Sequence, residues 1–277
     1  MRVTHDLRTI SSFALYLDHV ITEKGGAFTN YSGLLYRISS PSQGLYAYAT
    51  PFKYLGNDAS ITGMNVISGV YLNSTLVNIG TSGLYSINHN EGVAYFTGQL
   101  PASTNISGHY AVKDFGIKIT DQPEFKLLLE TKYVINSKYN QTLSGLATDV
   151  ITAPIIFLKY KQTENKPFSF GGIDDNSIKI RAIIIADSEY LKIGACNILK
   201  NLNWSGFYLV DSTPFDFKGS YTGAVYNYNN LNFDTDYTPF VKEVRIFDVP
   251  PVGEYENMPK NAAIADFEIF CAMRHNT

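Results

Sequence analysis

Charge and sulfur are both scarce in this chain. Lys, Arg, Asp and Glu make up 17% of its 277 residues, against about a quarter in an ordinary soluble domain. Only two cysteines occur, Cys196 and Cys271. Two residues so far apart build no disulfide framework, and without nearby histidine pairs they suggest no zinc site. No basic excess exists: 22 Lys and Arg stand against 25 Asp and Glu, for a net charge of -3. Residues 1–140 hold 10 basic and 9 acidic side chains, and residues 141–277 hold 12 and 16. Neutralising phosphates needs a clustered cationic surplus, so no sequence-specific nucleic-acid partner is expected. No apolar run approaches the ~18 residues of a membrane span. The opening MRVTHDLRTISSF places Asp6 and Arg8 where a signal peptide needs an apolar core. The expectation is a soluble protein made in a cytoplasm, with no membrane partner.

Catalytic signatures are missing as well. The five histidines (His5, His19, His89, His109 and His275) never stand two or four residues apart, so no H-E-x-x-H pair arises. The chain has no C-x-x-C, EF-hand, G-x-S-x-G, P-loop or G-x-G-x-x-G pattern. His19 on a helix and His109 on the polar face of a strand read as surface residues. Acidic residues gather at Asp174, Asp175, Asp211, Asp216, Asp234, Asp236 and Asp248. They read as solvated loop acids, with a Ca²⁺ site or a glycosidase-type carboxylate pair as the sharper alternatives. The chain is therefore expected to be no enzyme, to hold no metal and to need no cofactor.

What the sequence has in quantity is tyrosine and phenylalanine, 20 and 17 residues, beside a single tryptophan. Tyr suits half-buried strand positions and interfaces, where the ring is covered and the hydroxyl meets water. Residues 4–23 form the clearest helix: Leu7, Ile10, Ala14, Leu17 and Ile21 recur at helical spacing, Phe13 and Val20 widen the stripe, and Gly25-Gly26 ends it. Such a stripe calls for packing on a β core, and its terminal position also suits docking of a partner subunit.

From Gly33 onward the period changes to that of strands, at Leu34–Ser39, Leu45–Thr50 and Met64–Leu72. The best-patterned stretch follows, where Leu84–Ile87, Val93–Thr97 and Ile106–Val112 alternate around tight turns and read as an antiparallel meander. Phe115–Thr120 and Phe125–Ile135 are expected to extend it. Polar residues 136–149 mark a loop or internal boundary. Ala153–Lys161 and Ile178–Ala186 are β-branched strands, and Ile183-Ile184-Ile185 reads as buried on both faces. A second helix begins at Ser188 and runs to about residue 203. Strand patterns return at Tyr221–Tyr228, Phe240–Val249 and Ala263–Met273.

These elements give a mainly-β fold: an antiparallel β-sandwich with an N-terminal helix and a second helix near residues 188–203. The division expected is 1–140, N-terminal helix plus β-meander, and 141–277, a second β region with one helix; the two can also integrate into one domain. Candidate contact residues are Leu7, Phe13 and Leu17 on the first helix and Tyr221, Tyr226, Tyr228, Phe233 and Tyr237 in the aromatic stretch after Tyr221. The same tyrosines and asparagines could stack on sugars, so a glycan surface is the alternative there.

In the stretch from Gly83 to Phe115, the residues Leu84-Tyr85, Ile87, Gly92-Val93, Phe96, Leu100-Pro101, Ser107-Gly108, Tyr110 and Lys113-Asp114-Phe115 form a pattern. It resembles segments of structural proteins from the virions of tailed bacteriophages, in neck, tail and baseplate-associated components. GVYLN at Gly69–Asn73 and LLLETKYVIN at Leu127–Asn136 are similar in style. The resemblance implies a non-enzymatic, neck- or tail-associated virion protein, assembled in the host cytoplasm. It implies a homo-oligomeric connector, closed as a ring, whose partners are other virion proteins. A baseplate- or fibre-associated module binding host or glycan is the alternative. No functional residue carries across with the resemblance.

Overall fold

The structure is a computed structural model. It describes residues 5–39, 44–136, 151–169, 173–210, 222–231, 233–234, 238–250, 254–255, 258–259 and 261–274. Helix α1 spans His5–Lys24 and is buried along almost its whole circumference from Ser12 to Thr22, so it is a core helix and not one lying on a surface. It ends where the sequence says it should. The Gly25 amide donates to the Ile21 carbonyl, and Gly26 takes a positive φ of 53° that turns the chain out of the helix.

Two four-stranded antiparallel sheets follow. The first strands are β1 (Phe28–Leu34), β2 (Tyr36–Ile38), β3 (Tyr46–Ala49), β4 (Gly69–Leu72) and β5 (Thr75–Asn78). Next come β6 (Leu84–Asn88), β7 (Val93–Phe96) and β8 (Ile106–Lys113). One sheet has the order β1-β8-β4-β5 and the other β2-β3-β7-β6. Tyr110, Val112, Val70 and Val77 from the first meet Leu84, Ile87, Ala94 and Phe96 from the second in one buried cluster. That is the expected sandwich. The expected meander is rearranged within it: β6 pairs with β7, but β8 crosses to the other sheet and lies between β1 and β4. Strand β8 reads as half-buried because Gly108, Tyr110 and Val112 face the sandwich core. Its outer residue Ala111 is covered by Ile61 and Met64 from the loop after β3, which sequence spacing alone does not show.

Strand β9 (Gly116–Ile119) does not continue the sandwich either. After a π-helical turn at Lys126–Glu130, β10 (Val134–Ile135) pairs in parallel with β11 (Thr152–Ala153). The next elements are β12 (Ile155–Ser169), β13 (Ile173–Ala186) and helix α2 (Glu189–Lys200). Then come β14 (Leu209–Val210), β15 (Phe233–Asp234), β16 (Phe240–Val249), β17 (Glu254–Tyr255), β18 (Met258–Pro259) and β19 (Asn261–Arg274). The long strands form a sheet of order β16-β19-β13-β12-β9, antiparallel except that β9 runs parallel to β12.

Both helices pack on one face of this sheet. Phe13 and Leu17 of α1 and Ala195 and Leu199 of α2 share a cluster with Ile156, Ile180, Ile184 and Phe267. The opposite face carries Phe157, Ile183 and Ile185, covered by Tyr54, Leu127 and Tyr133. The run Ile183-Ile184-Ile185 is therefore apolar without alternation because each side chain finds a core, on alternate faces. Each such burial is worth about 1.5–3 kcal/mol. Ser188 caps α2, its hydroxyl accepting from the Leu191 amide at 3.3 Å. The outer edge of β16 is closed locally: Trp204 N–H donates to Val241 O, Val241 N–H to Ser205 O, and Val244 N–H to the Asn203 side chain. A sheet edge blunted in this way offers few free groups for strand addition there.

Candidate functional site: a buried polar seam

Among the described residues, buried ionisable groups gather where α1 meets the end of β8 and the 57–60 loop. Asp18 and His19 stand side by side on α1 and are 6% and 7% exposed. Asp18 takes Lys113, from the end of β8, on both carboxylate oxygens, at 2.7 and 2.9 Å. The same ammonium donates to Asn57 Oδ1 at 3.1 Å, and the Tyr226 hydroxyl donates to Asp18 Oδ2 at 2.7 Å. His19 Nδ1 lies 2.8 Å from Asp58 Oδ2, its Nε2 lies 3.2 Å from Glu23, and its ring stacks on Tyr228 with centroids 4.4 Å apart. Asp58 Oδ1 accepts from the Ser60 amide and hydroxyl and from the Tyr228 amide.

Burial pulls the His19 imidazolium down, but the hydrogen bond to Asp58 and the charges of Asp58, Glu23 and Asp18 together outweigh it and raise its pKa. For Asp58, burial pushes upward, and the bonds from His19, Ser60 and Tyr228 prevail and lower it. The pair is therefore ionised in both partners at mildly acidic pH. It fastens residues 224–228 to the 57–60 loop, aided by Tyr226 N–H to Asn57 O and Ala59 N–H to Tyr226 O.

Histidine, aspartate, lysine and tyrosine in contact are the ingredients of general acid–base chemistry, but among the described residues they are engaged with one another. The cavity lined by Asp18, Asn57, Asn90 and Lys113 measures about 10 Å³, the space of a single water. Its charges hold segments together. Outside the seam, Ser32 Oγ and His109 Nδ1 sit 2.5 Å apart on the open face of the sandwich, with Tyr71 edge-on to the imidazole. No described carboxylate orients that ring, so it is a polar pair and not a triad.

A second surface lies on the five-stranded sheet beyond the residues that Tyr54, Leu127 and Tyr133 cover, with a groove of about 340 Å³ among Lys179, Arg181, Glu243, Arg245, Asp266 and Glu268. Arg181 forks onto Asp266 at 2.6 Å through two nitrogens and reaches Glu124 at 2.8 Å. Lys179 pairs with Glu164, Lys242 with Glu268, and Arg245 with Glu243. These cations already have carboxylate partners, so the described residues of this surface present a mosaic of paired charges.

The contact residues read from the sequence separate here. Leu7 is exposed at 49%. Phe13 and Leu17 are fully buried, with Phe13 packed on Phe207 and Phe267 at 5.4 and 5.0 Å between ring centroids. Tyr226 and Tyr228 are 7% and 8% exposed inside the seam, so within this chain neither ring offers a face to a sugar. Tyr221 and Tyr237 lie outside the described residues, and of Phe233 only its place in β15, beside β14, is described. Of the acidic cluster, Asp211, Asp216 and Asp236 lie outside the described residues. Asp248 accepts from Lys192 at 2.6 Å. Among the described residues no three His, Cys, Asp or Glu side chains converge as a metal site.

His19 is a correction: it is buried, because helix α1 is covered on all sides and its polar positions must find partners inside. The sequence does carry a signal of this burial. Asp18-His19 interrupts an otherwise apolar stretch of helix, and a charged pair there requires buried partners. Asp58, Asn57 and His89 sit in loops and turns whose burial no local pattern reveals.

No family model matches the chain, and no curated protein matches it either.

Proposed function

We propose that the chain is a non-enzymatic assembly subunit that works through protein–protein contact. Within that class it is a structural component of a tailed-phage virion, an oligomeric connector in the neck or tail region whose partners are copies of itself and neighbouring virion proteins. The observation carrying this reading is how the side chains are distributed. Asp18, His19, Asp58, Lys113 and Tyr226 are spent on one another in a buried seam, where the cavity beside Asp18 and Lys113 has space for one water. Large apolar side chains, by contrast, remain at the surface: Leu7, Phe125, Leu129, Tyr190 and Trp204 are 49–85% exposed. Exposed anchors of this kind suit docking. Low overall charge and abundant tyrosine support the same reading.

The test is the mass of the recombinant chain in solution, alone and mixed with its neighbouring gene products, together with mass spectrometry of purified particles. The expected result is a defined oligomer or complex and the presence of the chain in particles. A strictly monomeric protein that is absent from particles refutes the reading.

A further inference from the structure

His89 begins the turn between β6 and β7 and is 1% exposed. Both of its ring nitrogens face carbonyl oxygens at 2.9 Å: Nδ1 meets Gly223 O and Nε2 meets Ile67 O. A carbonyl only accepts, and a neutral imidazole has one N–H to give. In the neutral ring, one nitrogen therefore directs a lone pair at an oxygen lone pair. Only the doubly protonated ring satisfies both contacts.

We propose that His89 is a proton-gated latch. With both ring nitrogens protonated it ties the Ile67 loop and the Gly223 segment to the sandwich, and losing one proton loosens the Gly223 side by one of its two hydrogen bonds to His89. The loosened side follows from the geometry. Gly223 O also accepts the His89 backbone amide at 2.9 Å, so it keeps a donor when Nδ1 loses its proton. Ile67 O keeps the Nε2 proton.

The Gly223 segment is fitted to this position. Its φ is +77°, and a Cβ there would collide with the Asn88 side chain. Immediately beyond it, residues 224–228 carry Tyr226 and Tyr228 into the seam. The charged groups on the elements around the ring are Lys113 of β8, Asp18 and His19 of α1, Asp58 of the 57–60 loop and Glu91 of the β6–β7 turn. Burial first, and then the Lys113 charge, outweigh the carbonyls that favour the imidazolium and hold the ring's pKa below the ordinary histidine value. These opposing influences make the proton labile instead of permanent.

The test is a long-range proton–nitrogen correlation spectrum of the full chain labelled at histidine, recorded between about pH 5 and 8.5. It is paired with hydrogen exchange at the His89 and Tyr226 amides, corrected for intrinsic base catalysis. The expected result is a His89 ring with both nitrogens protonated at the acidic end. As pH rises, Nδ1 deprotonates first and exchange at both amides quickens about tenfold, the loss of one hydrogen bond. In His89→Gln, which has no titrating ring at this position, the pH dependence at the residue 89 amide disappears, and at Tyr226 only the part supplied by the His19–Asp58 pair remains. A ring in one neutral tautomer across the whole range overturns the proposal, and so does an unchanged pH dependence at the residue 89 amide in His89→Gln.

Discussion

Replacing Lys113 with methionine should destabilise the fold far more than loss of a surface lysine. The side chain is 9% exposed, and its ammonium makes three hydrogen bonds, two to Asp18 and one to Asn57. Methionine nearly conserves volume, so a cavity contributes little. What remains is the Asp18 carboxylate, 8% exposed and held only by the Tyr226 hydroxyl among the contacts described above. Removing one partner of a buried pair costs about 3–5 kcal/mol, because the other ion is left uncompensated. In a chain of this size that lowers Tm by about 10 °C.

The Asp18→Asn/Lys113→Met double variant removes both ions and should recover about 2 kcal/mol or more of that loss. Urea unfolding of the parent, both single variants and the double variant, compared at matched m-values, measures each term. A Lys113→Met loss under about 1 kcal/mol, the scale of an exposed ion pair, refutes the claim that the seam carries stability. Strict additivity in the double variant refutes the claim that the two ions act on each other.

The His19–Asp58 pair sets a pH window. His19 is raised above 6.5 in the fold, so its contribution is complete below that value and is lost as pH climbs through the folded pKa. Asp58 is lowered below 3.8, so its contribution is present above that value and is lost as pH falls through its folded pKa. His19→Gln should therefore flatten the decline of the urea midpoint between about pH 6 and 8; an unchanged decline rules the pair out as its source. Gly92→Ala should cost about 3 kcal/mol, because φ is +68° and the new Cβ would meet the Phe52 carbonyl; chemical denaturation reads it directly, and a neutral outcome contradicts the turn geometry. Trp204, the only tryptophan, is 73% exposed and stacks by one face on Phe240. Its fluorescence should resemble that of indole in water and be readily quenched by acrylamide in the isolated chain; a blue-shifted, protected emission contradicts that exposure.

Much of the fold was legible because it rests on local periodicity. The apolar stripe of α1, its stop at Gly25-Gly26, the Ser188 cap and the alternation of β6, β7 and β8 are all written within a few residues of where they act. The triple isoleucine announces a strand covered on both faces, and Ile183, Ile184 and Ile185 are so covered. Pairing is another matter. Nothing in the alternation of β8 says that it leaves β7 for a place between β1 and β4, since a strand's pattern fixes which face is apolar and not which neighbour completes it. Likewise, β9 shows the same half-buried spacing as the sandwich strands, yet it joins β12, more than thirty residues downstream.

The candidate site lay almost wholly beyond the sequence. Composition and motif content determined a β-rich chain without a recognised catalytic signature, and the aromatic count pointed to packing. Only the tertiary structure decided that Phe13, Leu17, Tyr226 and Tyr228 are core and not contact surface. Only it brought Asp18, Asn57, Asp58, Lys113 and Tyr226, spread over two hundred residues, into one seam. The physical reason is that burial of a polar side chain depends on which distant segments cover it. Periodicity assigns each residue to a face of its own element; the partner of that face, and with it the charge on His19 or His89, is set by contacts that close only when the chain has folded.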